Sequence, residues 1–204
     1  MDQKRALKQM RFMKKHSDHM PLAAEDWGAP WKILISTILS ARNRDEVTIP
    51  VARDLFRKYP SVVKLSRASL KDVEGVIRPI NFYRNKSRNI VNCAKMLVRD
   101  YGGKVPLDEE ELVKLPGVGR KTTNVFLSEV GHDAIGVDTH VNYISNRLGW
   151  TMNKSPHKVE EDLKKLFVKR HWSKVNSTLV RFGKTHTSRK EKDELLEEIG
   201  RIRK

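Results

Sequence analysis

The sequence predicts an all-α fold, and three observations predict it. Apolar residues recur at spacings of three and four along most of the chain. No stretch shows the alternation of a half-buried strand. The breaks between periodic segments carry proline, glycine or a capping side chain. With 204 residues the chain has room for one large domain or two small ones around a real core.

Residues 2–16 predict an amphipathic helix with Ala6, Leu7, Met10 and Met13 on one face. Pro21 and Pro30 bracket a loop holding Trp27. Trp31 to Leu39 is apolar nearly all round, which predicts a buried helix, and the polar turn from Ser40 to Asp45 ends it. Val47, Val51, Leu55 and Tyr59 mark a helix that stops by Pro60. Two short helices follow, at 62–66 and 69–77, and Pro79 closes the second. Asn81 to Arg84 is expected as loop. Ile90, Val91, Ala94, Leu97, Val98 and Tyr101 then give a helix ended by Gly102 and Gly103. Asp108 and Glu111 have capping-box spacing for a short helix ending near Leu115. Arg120 to Val130 suits a helix that stops at Gly131. Three more are marked by Val141, Ile144 and Leu148; by Val159, Leu163, Leu166 and Phe167; and by Val175, Leu179 and Phe182, the last ending near Gly183. The tail from Ser188 onward is read either as a peripheral helix or as frayed. No repeat or low-complexity tract occurs.

The net charge is +16, and its distribution matters more than its size. Residues 78–99 hold six basic side chains and no acid, with Phe82 and Tyr83 among them; residues 163–190 hold nine and no acid, with Phe167, Trp172 and Phe182. One-signed blocks interleaved with rings suit a polyanion such as nucleic acid better than an acidic protein or a membrane surface. The opening residues carry no signal-peptide pattern, and no apolar run reaches membrane-spanning length. The single Cys93 excludes an internal disulfide and any cluster held by cysteines of this chain. A soluble, intracellular protein is expected.

The chemistry concentrates between Leu115 and His140. Leu115-Pro-Gly-Val-Gly-Arg-Lys121 predicts a glycine hairpin opening a helix, whose N-terminal N–H groups favour an anion such as a phosphate. Lys121 stands in the first turn of that helix. Lysine acts as a nucleophile only when neutral, and an ordinary pKa of about 10.4 leaves well under one in a thousand neutral at pH 7. Partial burial and the neighbouring Arg120 are expected to lower it. Such an amine attacking a sugar carbon gives a Schiff base. Asp138, seventeen residues on, suits the N-cap of the next helix. A carboxylate at that position stays ionised, which also suits stabilising a sugar cation. His140, taken alone, is read as structural.

The hairpin with its lysine, together with Val137-Asp-Thr-His140, resembles the helix-hairpin-helix and Gly/Pro-Asp motifs of the endonuclease III family of DNA repair glycosylases. The resemblance runs from about Trp31, through Ile38 to Asp45 and Phe82 to Lys86, to about Gly183. It implies a two-domain helical fold with a catalytic cleft: one domain at 23–132, the other built from 1–22 and 133–204. It implies that a damaged base is flipped out of duplex DNA. Lys121 would displace it at C1′ and nick the strand by β-elimination, with Asp138 assisting. Gly117, Val118 and Gly119 would offer amides to a phosphate, the hairpin carbonyls sharing a monovalent cation with it. Arg42, Phe82, Arg84 and Lys86 would contact DNA, and ring-damaged pyrimidines would be the substrates of a monomeric enzyme, cytoplasmic and nucleoid-associated or otherwise intracellular.

The sequence also departs from the family pattern. The family's four-iron, four-sulfur cluster needs four cysteines, and Phe182 to Arg189 has none; the bases from Arg181 to Lys190 are expected to present positive charge instead. Arg42 stands where glutamine commonly fills the gap left by the base, and Phe82 where leucine often wedges. Both can occupy or stack in a duplex gap; ordinary surface basicity for Arg42 and core packing for Phe82 are the other readings. Two rival functions stay open at this level, a monofunctional glycosylase of the same fold and a non-catalytic helix-hairpin-helix DNA-binding protein.

Overall fold

The computed structural model describes residues 2–132 and 134–202; among these, every regular element is helical. The chain forms two compact units, Pro21–Val130 and Met1–Met20 with Gly131–Lys204.

The Pro21–Val130 unit is built around α2 (Pro30–Ser40). Pro30 takes the first helical position, where its missing N–H costs nothing. Trp31 and every residue from Ile33 to Leu39 are buried. α3 (Asp45–Lys58), α6 (Tyr83–Tyr101) and α8 (Arg120–Glu129) pack on α2. Each fully buried leucine or isoleucine there contributes about 1.5–3 kcal/mol. The short α4 (Val62–Ser66) and α5 (Leu70–Ile77) close over α6, and their hydroxyl caps Ser61 and Ser69 accept the Lys64 and Asp72 N–H groups. α7 (Glu109–Leu112) leans on α8, and Asp108 caps it by accepting the Glu111 N–H at 3.0 Å.

The α6 start differs from the expected one. Tyr83 and Arg84 are in the helix rather than in a preceding loop. Phe82 is the N-cap and offers no side-chain bond, so the start carries no capping signal in the sequence.

In the other unit α11 (Trp172–Thr185) packs on α1 (Gln3–Lys15) and on α9 (Thr139–Arg147), while α10 (Pro156–Leu166) rests on α9. The tail is a helix, α12 (Arg189–Gly200), and not frayed. Ser188 caps it, Leu196 and Ile199 are buried, and the buried Gln9 of α1 donates to the Ile199 carbonyl at 3.1 Å. Gln9 also accepts the Trp150 indole N–H at 2.7 Å, so its amide is satisfied on both sides.

α11 does not end near Gly183 but runs through it to Thr185. Glycine is there for space. A Cβ at Gly183 would stand 2.3 Å from His140 Nδ1, so α9 and α11 approach closely at this point. The half-buried His140 ring fills the gap that the glycine leaves.

Candidate active site

The hairpin is a turn between α7 and α8 in which each glycine has a different reason to be one. Gly117 has φ +82°, and a Cβ there would stand 2.9 Å from Asn89 Cβ of α6. Backbone and packing both demand glycine. Val118 is buried, and its N–H donates to the Leu115 carbonyl at 3.0 Å. That corrects one expectation: Val118 anchors the turn by its side chain, and its amide is spent inside it. Gly119 is the N-cap of α8 at φ −105°, with nothing within 4 Å of a Cβ placed there. Neither strain nor packing calls for glycine there, and its local role is that of an N-cap. No side chain caps α8, so its first N–H groups lack the usual Ser, Thr, Asp or Asn partner.

Lys121 lies in that first turn and is exposed; the partial burial expected of it is not found. Its neighbour Arg120 reaches back to Glu109 at 3.3 Å, which offsets the cation expected to act on Lys121. Asp138, in the other unit, is half-buried and caps α9, accepting the Val141 N–H at 2.8 Å.

Arg42 and Phe82 come together. Both are non-glycine residues with positive φ, 58° and 59°, in the loops after α2 and before α6. A left-handed conformation costs such residues about 1–2 kcal/mol each. The Arg42 guanidinium carbon lies 5.7 Å from the Phe82 ring centroid. Phe82 is 59 % exposed, which overturns its reading as a core residue. Beside them Arg42, Asn43, Arg44, Val47, Pro79 and Asn81 line an open groove of about 470 Å³. Arg84 is exposed in the first turn of α6, over its neighbour Tyr83 at 5.6 Å.

Lys86 is not a DNA-facing cation. It is 7 % exposed, and its Nζ donates to the carbonyls of Leu39 at 2.7 Å and Ala41 at 2.6 Å. Burial lowers its pKa to about 8. The sequence carried a signal for this. Lys86, Ile90, Cys93 and Leu97 follow one another at spacings of four, three and four, and all four are buried on α6. A lysine inside an apolar stripe is a buried lysine.

The rings among the basic stretches also sort differently from expectation. Phe167 and Phe182 are core residues. Trp172 donates its indole N–H to the Phe167 carbonyl at 2.7 Å and lies under Lys164. Arg181 donates to the Met20 carbonyl at 3.1 Å, and Arg189 lies over Tyr143, so both guanidinium groups have partners within their own unit.

Cys93 is buried, and burial pushes its thiol up to about 12. It cannot be one of four cluster ligands, since the chain has no other cysteine. Among the described residues no group of three or more His, Cys, Asp or Glu could hold a metal ion. None of the described helices is long and apolar enough to cross a membrane.

A glycine turn between two helices, with lysine in the first turn of the second, inside an all-helical fold is the arrangement of a helix-hairpin-helix protein. The family model for the HhH-GPD superfamily base excision DNA repair proteins matches residues 35–169. Endonuclease III of Thermotoga maritima is 46 % identical over 157 residues, 76 % of this chain and 73 % of that protein. Endonuclease III of Bacillus subtilis is 40 % identical over 185 residues, 88 % of this chain and 84 % of that protein. A solved structure of a trapped endonuclease III–DNA covalent intermediate, an estranged-adenine complex, superposes with a TM-score of 0.81. It has 37 % identity and covers 92 % of this chain and 89 % of that one. The chain belongs to the endonuclease III family.

Proposed function

We propose that this enzyme, a base-excision repair DNA glycosylase with associated abasic-site lyase activity, removes oxidised pyrimidines from duplex DNA, with Lys121 and Asp138 carrying the chemistry. The observation that carries the assignment is an exposed amine in the first turn of a helix whose N-terminal N–H groups have no side-chain cap. Such a terminus favours a phosphate. Gly119, the N-cap of α8, has no protein atom within 4 Å of where a Cβ would stand, which leaves room for the DNA backbone to approach.

With the phosphate held there, the Lys121 nitrogen attacks C1′ of the neighbouring nucleotide. The bond from C1′ to the base breaks, its electron pair leaves with the base, and the base takes up a proton while the amine loses one. The sugar opens to a Schiff base. Removal of a C2′ proton then expels the 3′ phosphate and nicks the strand. The Asp138 carboxylate stabilises positive charge on the sugar as the base departs. The hairpin offers backbone carbonyl oxygens and no thiolate or imidazole, a donor set that suits a hard monovalent cation, which would neutralise phosphate charge. A cysteine-held cluster does not fit this chain, and no step runs through one. Arg42 and Phe82, exposed and adjacent, enter the duplex where the damaged base leaves the stack. The enzyme acts as a monomer inside the cell.

Borohydride trapping on DNA with a single abasic site tests this. Wild type should give a covalent adduct, and Lys121→Ala should abolish it. Base release without an adduct would make the enzyme monofunctional; neither product would leave a binding protein. Lesion-bearing oligonucleotides, with each partner base in turn, test the substrate class: thymine glycol should be released faster than a mismatched or alkylated base.

A further inference from the structure

One buried side chain holds the first of the two strained loops. The Lys86 Nζ donates to Ala41, the residue before Arg42, at 2.6 Å and to Leu39 at 2.7 Å. The loops are also tied to each other. The Asn81 backbone N–H donates to Asn43 Oδ1, and the Asn81 side chain to the Arg42 carbonyl, each at 2.9 Å. Asn43 in turn donates to the same Leu39 and Ala41 carbonyls, at 2.9 and 3.1 Å.

An ammonium group is a costly way to fill space beneath an apolar helix end; methionine would fill it without desolvating a charge. What the ammonium adds is direction, because a hydrogen bond fixes the peptide that accepts it. Here the accepting peptide leads straight into the left-handed Arg42. A side chain that must enter a base stack is more effective when its loop is ordered beforehand, since ordering it on binding subtracts from affinity.

We propose that Lys86 is a positioning residue: its side chain holds the Ala41 carbonyl and so fixes the Arg42 loop, which the Asn81 bonds tie to the loop bearing Phe82, and Arg42 and Phe82 thus meet DNA as one preformed pair. The inference rests on the reading of those two residues as the groups that enter the duplex. It extends that reading from the exposed tips to their support, which reaches no DNA itself.

The test is the ratio of affinities for a duplex with one stable abasic-site analogue and for the same duplex intact, by fluorescence anisotropy at one salt concentration. The proteins are wild type, Phe82→Ala, Lys86→Met, the double variant and Lys86→Arg, each checked for folding by circular dichroism. Phe82→Ala and Lys86→Met should each lower the ratio by about tenfold, and the double variant no further than either, because one coupled unit is lost once. Lys86→Arg keeps a donor and should recover most of the ratio. In Lys86→Met, intact-duplex binding, set by surface cations, should barely change, a split that general loosening of the core would not give.

An unchanged ratio in Lys86→Met beside a lowered one in Phe82→Ala overturns the proposal, as do losses that multiply in the double variant. No effect of Phe82→Ala on the ratio overturns the duplex-entry reading first, and the positioning role with it. If Lys86→Met does not fold, Asn81→Ala decides: Asn81 is exposed, and removing its side chain cuts the tie to Arg42. A lowered ratio there supports the tied pair, and an unchanged one overturns it.

Discussion

The Asp138 carboxylate accepts the backbone N–H of Val141 at 2.8 Å, so one side chain both starts α9 and keeps a negative charge at that helix terminus. Asparagine caps helices as well as aspartate does, whereas alanine does not. Asp138→Asn should therefore fold with wild-type stability while base release falls by about a hundredfold or more. Asp138→Ala should lose about 1 kcal/mol of stability besides. Single-turnover base release set beside thermal denaturation separates the two roles. Wild-type release by the asparagine variant would leave Asp138 as a cap alone.

The hairpin glycines should part company under the same substitution. Gly117→Ala meets both a left-handed backbone and Asn89, and should cost about 2 kcal/mol or more of stability. Gly119→Ala meets neither, so its stability should change by less than about 1 kcal/mol. Its DNA affinity should nevertheless fall. Denaturant titration gives the first pair of values and anisotropy the second.

Gly183→Ala should destabilise the chain by about 1–3 kcal/mol, because its Cβ would displace the His140 ring from beside α11. A second change, His140→Ala, should recover part of that loss by removing the obstacle. A double-mutant cycle in thermal unfolding measures the coupling.

Lys86 makes the folding free energy depend on alkaline pH. Its folded pKa of about 8 lies below the ordinary lysine value. Between the two, the unfolded chain still holds a proton that the folded chain has released, so raising the pH through that window favours folding. Below about pH 8 both states are protonated and the dependence vanishes. Relative to Lys86→Met, wild type should gain on the order of 3 kcal/mol from neutral pH to the top of the window. Urea unfolding of both proteins near neutral pH and near pH 10 gives the difference; a flat or falling difference contradicts the burial.

DNA affinity should fall steeply with salt. If roughly six phosphates are neutralised, the logarithm of the binding constant should drop with a slope of about −5 against the logarithm of salt. Lys190→Ala should make the slope shallower by about one. Arg181→Ala should not, because its guanidinium is turned to the Met20 carbonyl.

Much of the fold could be read from the chain because its punctuation is conventional. Asp108 and Asp138 cap the helices their positions suggest, and Pro30 and Gly102 stand where a helix starts and another stops. Reading failed where a residue served a tertiary contact in place of its local habit. Gly183 looked like a stop and is a gap for His140; Phe82 begins a helix without capping it. In the candidate site the hairpin and its lysine were legible as a motif. The support was not: Asn43, Asn81 and Lys86 are far apart in sequence and meet only because α2 and α6 pack together.

The chain's one thiol, Cys93, is sealed in the core and kept protonated at every ordinary pH. Reporter dyes or spin labels can therefore be attached through cysteines introduced at exposed sites such as Arg84 or Arg42 without first engineering a thiol-free background.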